Sequence, residues 1–341
     1  MPRSGATAAE RGTMQASNTG AVGVTSRPLR IWRYLLVMFP PHIMLLSGVA
    51  KFYAAYFCLQ ALAGDEFLDI SLRSMGGAIS LVLFSLLLRV YDELKDAQAD
   101  MRLGRAGDPR YKDRPIVTGA VTIEDLAVLR WVITTMLVAI NVAMGAWGFL
   151  GFTVLFLVTW LSFKWFFWPA ISRHLLLAFL THNPITLFFG GYIVAVYAGD
   201  YGVHSIDAWA LVLLLAFWAP LGAWETARKI RAPEDETDYQ TYSQVFGWKL
   251  APFVPIAFIV LGTTCMILLS GRLGLNWVLP AVVVVASCLP VLRCLAFRLS
   301  PSQKTAVIQP FVELYAVIMD LGLLVAVLVA RGLDPSQLTG L

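Results

Sequence analysis

The sequence predicts an all-α fold: a polytopic membrane protein of about nine transmembrane helices around a central apolar chamber. Three observations predict it. The chain is 58% hydrophobic, where soluble domains run at roughly 45–50%. Its mean hydropathy is +0.70. About nine apolar runs recur along it, each long enough to cross roughly 30 Å of hydrocarbon, and charged loops separate them.

Residues 1–33 are polar, rich in Ala, Gly, Ser and Thr, and carry no apolar run. They read as a disordered tail rather than a secretory signal peptide. The runs then follow at 34–60, 74–91, 122–145, 149–168, 172–197, 208–226, 250–270, 276–297 and 307–330. The layout is a tail (1–33), a membrane domain (34–330) and a short C-terminal tail (331–341). Several runs contain Gly and Pro, among them Pro40-Pro41, Pro184, Gly190-Gly191 and Pro220. Membrane helices tolerate these residues, and small side chains let helices approach closely.

Lys and Arg set the orientation. Arg27, Arg30 and Arg33 precede the first run. Lys95, Arg102, Arg105, Arg110, Lys112 and Arg114 follow the second, Lys164 and Arg173 the fourth, Arg228, Lys229, Arg231 and Lys249 the sixth, and Arg293, Arg298 and Lys304 the eighth. The intervening loops are poor in bases. The N-terminus and all the basic loops are therefore expected on the cytoplasmic side of the cell inner membrane, with the C-terminus outside. A net charge of +4 spread over loops argues against a nucleic-acid partner. The four cysteines show neither C-x-x-C nor Cys/His spacing, which excludes the usual zinc patterns, and their place within apolar runs suits buried thiols.

The chemistry gathers in Arg89–Gly119. Asp92, Asp96 and Asp100 are spaced i, i+4, i+8 with Glu93 beside the first. On a helix this stacks the aspartates on one face, about 6 Å per step. Like charges stacked so repel one another. Two readings stand: a solvated polar helix end at the membrane surface, or a face that binds a divalent cation. After the sixth run, Trp224–Gly247 again mixes acids (Glu225, Glu234, Asp235, Glu236, Asp238) with bases (Arg228, Lys229, Arg231), and Glu234 and Asp238 are i, i+4. Both stretches fall on one face of the membrane. Mg²⁺ binds through one or two carboxylates plus phosphates, so two facing acidic loops suit a diphosphate, with Arg and Lys neutralising the rest. An apolar chamber suits a long hydrocarbon tail.

These motifs resemble those of the UbiA-type intramembrane prenyltransferases, which have nine transmembrane helices and acidic motifs after the second and sixth. The family's first motif, N-D-x-x-D-x-x-x-D, aligns with D-E-L-K-D-A-Q-A-D from Asp92 to Asp100, and its R-P-x-x-x-G element with Arg114–Gly119. Asp92 stands where the family has Asn and Glu93 where it has Asp; both retain oxygen ligands. The second motif, D-x-x-x-D, best fits Glu234-x-x-x-Asp238. Lys164-Trp165-Phe166, His174 and His182-Asn183-Pro184 also look like a bacterial branch of the family. The resemblance implies that Asp96 and Asp100 carry a first Mg²⁺ assisted by Asp92 and Glu93. It implies a second on Asp238 and Glu234, with Asp235 adjacent. Arg114, Arg228, Lys229 and Arg231 become candidates for diphosphate contact, each equally readable as a membrane anchor. Lys164, His182, Asn183 and Glu225 are candidate substrate contacts; for His182 and Asn183 the alternative is a helix–helix hydrogen bond. Trp218 and Trp224 could offer π-faces to a cation, while Trp160, Trp165, Phe166, Phe167 and Trp168 read as an interfacial belt.

Two more ionisable residues lie deep in runs. Lys51 and Asp320, in the first and last, are expected to pair if those helices close a ring. The implied activity is Mg²⁺-dependent transfer of a prenyl group from an isoprenyl diphosphate to a lipophilic acceptor, usually aromatic. A terpene cyclase acting on the diphosphate alone and a transporter are the competing readings.

Overall fold

The computed structural model describes residues 26–333 except 110, 166–167 and 237–239, and not the side chains of 165 and 172. The outer parts of both expected tails, Asp238, and Trp165, Phe166 and Phe167 of the expected belt therefore lie outside the described residues or side chains.

The described residues open with a helix where the last part of the tail was expected. α1 (Arg27–Met38) starts with Pro28 in its first turn and stops at Phe39. The run expected as one span over 34–60 is thus two helices. Pro40-Pro41 forces the break, because proline lacks the N–H that would continue the ladder and disfavours a helical residue before it. α2 (Pro41–Ala63) ends at Gly64, whose φ of 96° suits only a residue without a side chain. α3 (Leu72–Arg105) starts at a capping box formed by Ser71 and Ser74. With 34 residues it is about 50 Å long. Some 20 residues suffice to cross the hydrocarbon, so the last third stands clear of it and carries the first acidic stretch.

After the single turn α4 (Pro115–Thr118), α5 (Ile123–Ala143) begins at a second capping box, Thr122 with Asp125. The Asp125 carboxylate is fully buried. It accepts from Arg27 Nε (3.2 Å), Arg30 Nε (2.7 Å) and Arg30 Nη2 (2.8 Å), fixing α1 to α5. Asp125→Ala is expected to cost about 2 kcal/mol from the lost cap and charged hydrogen bonds. It should also speed amide hydrogen exchange across 27–38, which mass spectrometry would read.

α6 (Gly145–Trp165), α7 (Pro169–Arg173), α8 (Leu175–His182) and α9 (Ile185–Tyr201) follow. Asn183-Pro184 splits what was expected as one continuous span. α10 (Trp209–Ala227) accommodates Pro220, and α11 (Tyr242–Leu250) is interrupted at Gly247. α12 (Phe253–Arg272), α13 (Val278–Leu299), α14 (Gln303–Ala306) and α15 (Gln309–Arg331) complete the chain. Among the described residues, nine stretches are long and apolar enough to cross a bilayer: α2, α3, α5, α6, α8 with α9, α10, α12, α13, and α14 with α15.

The spans form a closed ring. Each packs on the next in chain order, and α15 returns to α2. Close approach depends on small residues: a Cβ at Gly222 of α10 would sit 2.7 Å from the Phe258 ring of α12. Buried polar groups find partners across helices. Asn141 donates to Ser80 (3.0 Å) and accepts from Tyr192 (2.7 Å), joining α5, α3 and α9. At the end of the ring away from the acidic stretches, Asp200 accepts from Tyr56 (2.6 Å), Ser71 (2.7 Å) and Arg73 (3.3 Å). Lys51 Nζ lies 3.1 Å from Asp320 Oδ2 and closes the seam between α2 and α15, as the sequence suggested.

Candidate active site

α3 and α10 run in the same direction, so both acidic stretches emerge at one end of the ring. The aspartates of α3 share a face, and three kinds of environment divide the four acids. Asp92 and Asp96 are exposed, about half of the Asp96 side chain facing out. Lys95 stands between them, its Nζ 2.9 Å from Asp92 Oδ1 and 3.8 Å from Asp96 Oδ2. One turn on, Asp100 is buried and paired with Arg114, whose guanidinium also lies over the Tyr111 ring. Glu93 points elsewhere: it is buried, with Oε1 2.5 Å from Arg89 Nη2. Tyr34 of α1 covers this pair, and among the described residues Glu93 Oε2 is buried without a hydrogen-bond partner. Burial, reinforced by the Glu93 charge, raises the Tyr34 hydroxyl above its ordinary pKa.

The second stretch is built differently. Glu225, in the last turn of α10, accepts both nitrogens of the Arg228 fork (2.6 and 2.8 Å) and lies 2.8 Å from the Lys229 ammonium. Lys229 is buried. Arg231 is fixed through its backbone N–H to Ser243 Oγ (2.9 Å). Glu234 and Asp235 turn towards the start of α14, accepting from the backbone N–H (3.2 Å) and side-chain amide (2.7 Å) of Gln303. Glu236 accepts from Thr241, the residue that caps α11. An apolar pocket of about 300 Å³ opens beside this loop, lined by His174, Leu175, Leu176, Leu177, Gln240 and Val245.

His182 bridges helices: Nε2 is 3.0 Å from the Ser162 carbonyl of α6, and Nδ1 is 2.9 Å from Ala178. Asn183 accepts from Trp218 Nε1 at 2.6 Å, and Trp218 stands edge-on to Phe258. Trp224 donates to Glu313 (2.7 Å) and takes the Arg228 guanidinium over its ring. Lys164 is exposed, with its ammonium near the Trp160 and Phe163 rings.

The donor set can be tested for Mg²⁺. Two exposed carboxylates one turn apart supply the hard oxygen ligands it takes, and one or two carboxylates beside phosphate oxygens are its usual complement. Asp92 and Asp96 fit. Glu93 and Asp100 are engaged with arginines instead, and among the described residues no three acidic, His or Cys side chains come close enough to share an ion. A first-motif ion would therefore rest on two protein carboxylates and complete its shell from outside the protein.

Sequence reasoning overlooked Asp125, Tyr34, Lys95 and Gln303 as organisers of this end. The Thr122-x-x-Asp125 capping pattern was available as a signal for the first. Lys95 carried one too, its i, i+3 spacing from Asp92 within α3; Tyr34 and Gln303 depend on which helices meet and carried none.

Ring, bias of the polar groups to one end, and apolar outer faces define a multi-pass membrane protein. Its fold is that of the UbiA homologues. The apo structure of a UbiA homologue from Aeropyrum pernix K1 superposes with a TM-score of 0.60 at 14% identity, over 84% of this chain and 98% of that one. A structure of digeranylgeranylglyceryl phosphate synthase superposes with a TM-score of 0.57 at 13% identity, over 87% and 98%. Neither a family model nor a curated protein sequence matches the chain.

Proposed function

We propose that this protein is a Mg²⁺-dependent membrane prenyltransferase of the UbiA type. It would transfer the prenyl group of an isoprenyl diphosphate to a lipophilic acceptor, an aromatic ring by preference. The observation that carries the reading is the exposed Asp92–Asp96 pair at the end of an apolar ring with the UbiA fold. The Lys and Arg bias supports a cytoplasmic position for this end, at the inner membrane.

In this reading the C1–O bond of the prenyl diphosphate breaks and its electron pair leaves with the diphosphate. The acceptor's electron pair forms the new bond to C1, and the acceptor loses a proton. Bound Mg²⁺ supplies charge neutralisation of the leaving diphosphate. Asp92 and Asp96 hold it, and Lys95 offers a cation between them that can turn to phosphate oxygens. Asp100 orders the loop by fixing Arg114. Arg228 and Lys229 present a second cationic edge, held in place by Glu225; Arg231 adds to its charge. Glu234 and Asp235 brace the second loop through Gln303 and, with Asp238, remain that motif's candidate ligands. The Asn183 amide, steadied by Trp218, orients the acceptor, and His182 holds α8 against α6. The apolar interior of the ring takes the tail.

The test is product analysis by mass spectrometry, with reconstituted protein given a panel of prenyl diphosphates, with and without lipid extract. Prenylated acceptor is expected, formed only when extract and Mg²⁺ are both present and abolished by EDTA. Cyclic hydrocarbon formed without acceptor would reassign the protein as a cyclase. Full turnover in EDTA would remove Mg²⁺ from the account.

A further inference from the structure

α1 has two faces. Tyr34, only 2% exposed, points into the protein, and Arg27 and Arg30 reach across to Asp125 although about half of the Arg27 side chain stays exposed. Leu29, Trp32, Leu36 and Val37 point out, with Trp32 50% and Val37 66% exposed. At 100° per residue, Leu29, Trp32 and Leu36 fall within a narrow stripe, Val37 lies to one side of it, and exposed Arg33 stands between.

The level of the helix follows from what it touches. Arg27 and Tyr34 are seven residues apart, about 10 Å along the axis, yet they reach different spans. Arg27 reaches Asp125 in the first turn of α5. Tyr34 reaches Arg89 and Glu93, where α3 leaves the hydrocarbon. A helix meeting two neighbouring spans at their ends, one turn each, runs across the rim of the ring rather than along a span. Beyond Pro40-Pro41 the outer side of α2 continues the same exposed apolar surface through Ile43, Leu45 and Leu46. That surface belongs to a helix long and apolar enough to span a bilayer.

We propose that the outer face of α1 is a membrane-docking surface. It lies in the plane of the bilayer, with Leu29, Trp32 and Leu36 at the boundary between headgroups and acyl chains. Its inner face straps α5 to α3 one turn before the exposed aspartates, so the lipid surface sets the height at which the acidic face stands. The docking of α1 is independent of whatever reaction the site performs.

Site-directed nitroxide labelling in phosphatidylcholine–phosphatidylglycerol vesicles tests it. Cys288 is the one exposed cysteine of the four, so Cys288→Ser provides the background, with Leu36→Cys as the probe and Lys112→Cys, in the exposed loop, as the aqueous reference. The label at 36 is expected to favour collision with oxygen over a water-soluble nickel chelate by about threefold or more relative to the label at 112, as an interfacial site does. Trp32→Cys should repeat the result. Chelate access equal to that at 112 would overturn the proposal. Shielding from both reagents would also overturn it, because a protein segment, either residues 1–25 or a second copy, would then cover the face.

Discussion

Asp96→Ala is expected to leave the bundle folded while lowering prenyl-transfer turnover about 100-fold or more, equivalent to ~3 kcal/mol of transition-state stabilisation. Folding should survive because half of the side chain is exposed and its ion pair with Lys95 is long, at 3.8 Å. Surface changes of this kind usually stay within ~0.5 kcal/mol. Asp100→Ala is the informative contrast. It leaves Arg114 without the buried carboxylate it now holds, so stability should fall along with activity. Turnover and thermal unfolding measured on the same detergent-solubilised samples separate the two variants. A folded Asp96→Ala protein with undiminished turnover would remove this residue, and the metal site it anchors, from the proposed mechanism.

Lys51→Ala is expected to cost about 3–5 kcal/mol, enough to strip most folded protein from the membrane, because it strands a carboxylate in the membrane interior. The reason is positional. Asp320 is mostly buried in the middle of α15, and the ammonium 3.1 Å away is its salt-bridge partner. Asp320→Ala should act similarly from the other side. Lys51→Met combined with Asp320→Leu removes both charges at nearly constant volume and should restore most of the yield. Size-exclusion profiles of the four proteins from equal amounts of membrane would read this directly. Wild-type behaviour of both single variants would show that the seam between α2 and α15 is held by packing alone.

The ring was legible because hydropathy reports directly on membrane spans. Even the Lys51–Asp320 pairing followed from two ionisable residues at similar depth in the first and last runs. What the sequence hid were features set by tertiary meeting points. Residues 34–38 are as apolar as a span, and only Pro40-Pro41 separates a helix across the rim from one through the membrane. Spacing put Asp92, Asp96 and Asp100 on one face of a helix, and they do share it. Spacing could not say that Asp100 is drawn under Arg114, or that Glu93 turns to Arg89, since both outcomes depend on which neighbour covers that side of α3. In the second stretch, Gln303 claims Glu234 and Asp235 from almost 70 positions downstream. No local pattern announces such a contact.

The Lys51–Asp320 pair also has a consequence in time. Its two members are separated by 269 residues, nearly the whole length of the membrane domain. At roughly 5–20 residues per second, the ribosome delivers the aspartate about 15–50 s after the lysine. Through that interval the first spanning helix sits in the bilayer with an uncompensated ammonium, which must bend towards the headgroups or attract water. The ring therefore cannot settle span by span as it emerges. Its first helix reaches its final depth only when the last arrives, and nascent chains truncated before α15 should be prime substrates for membrane proteases.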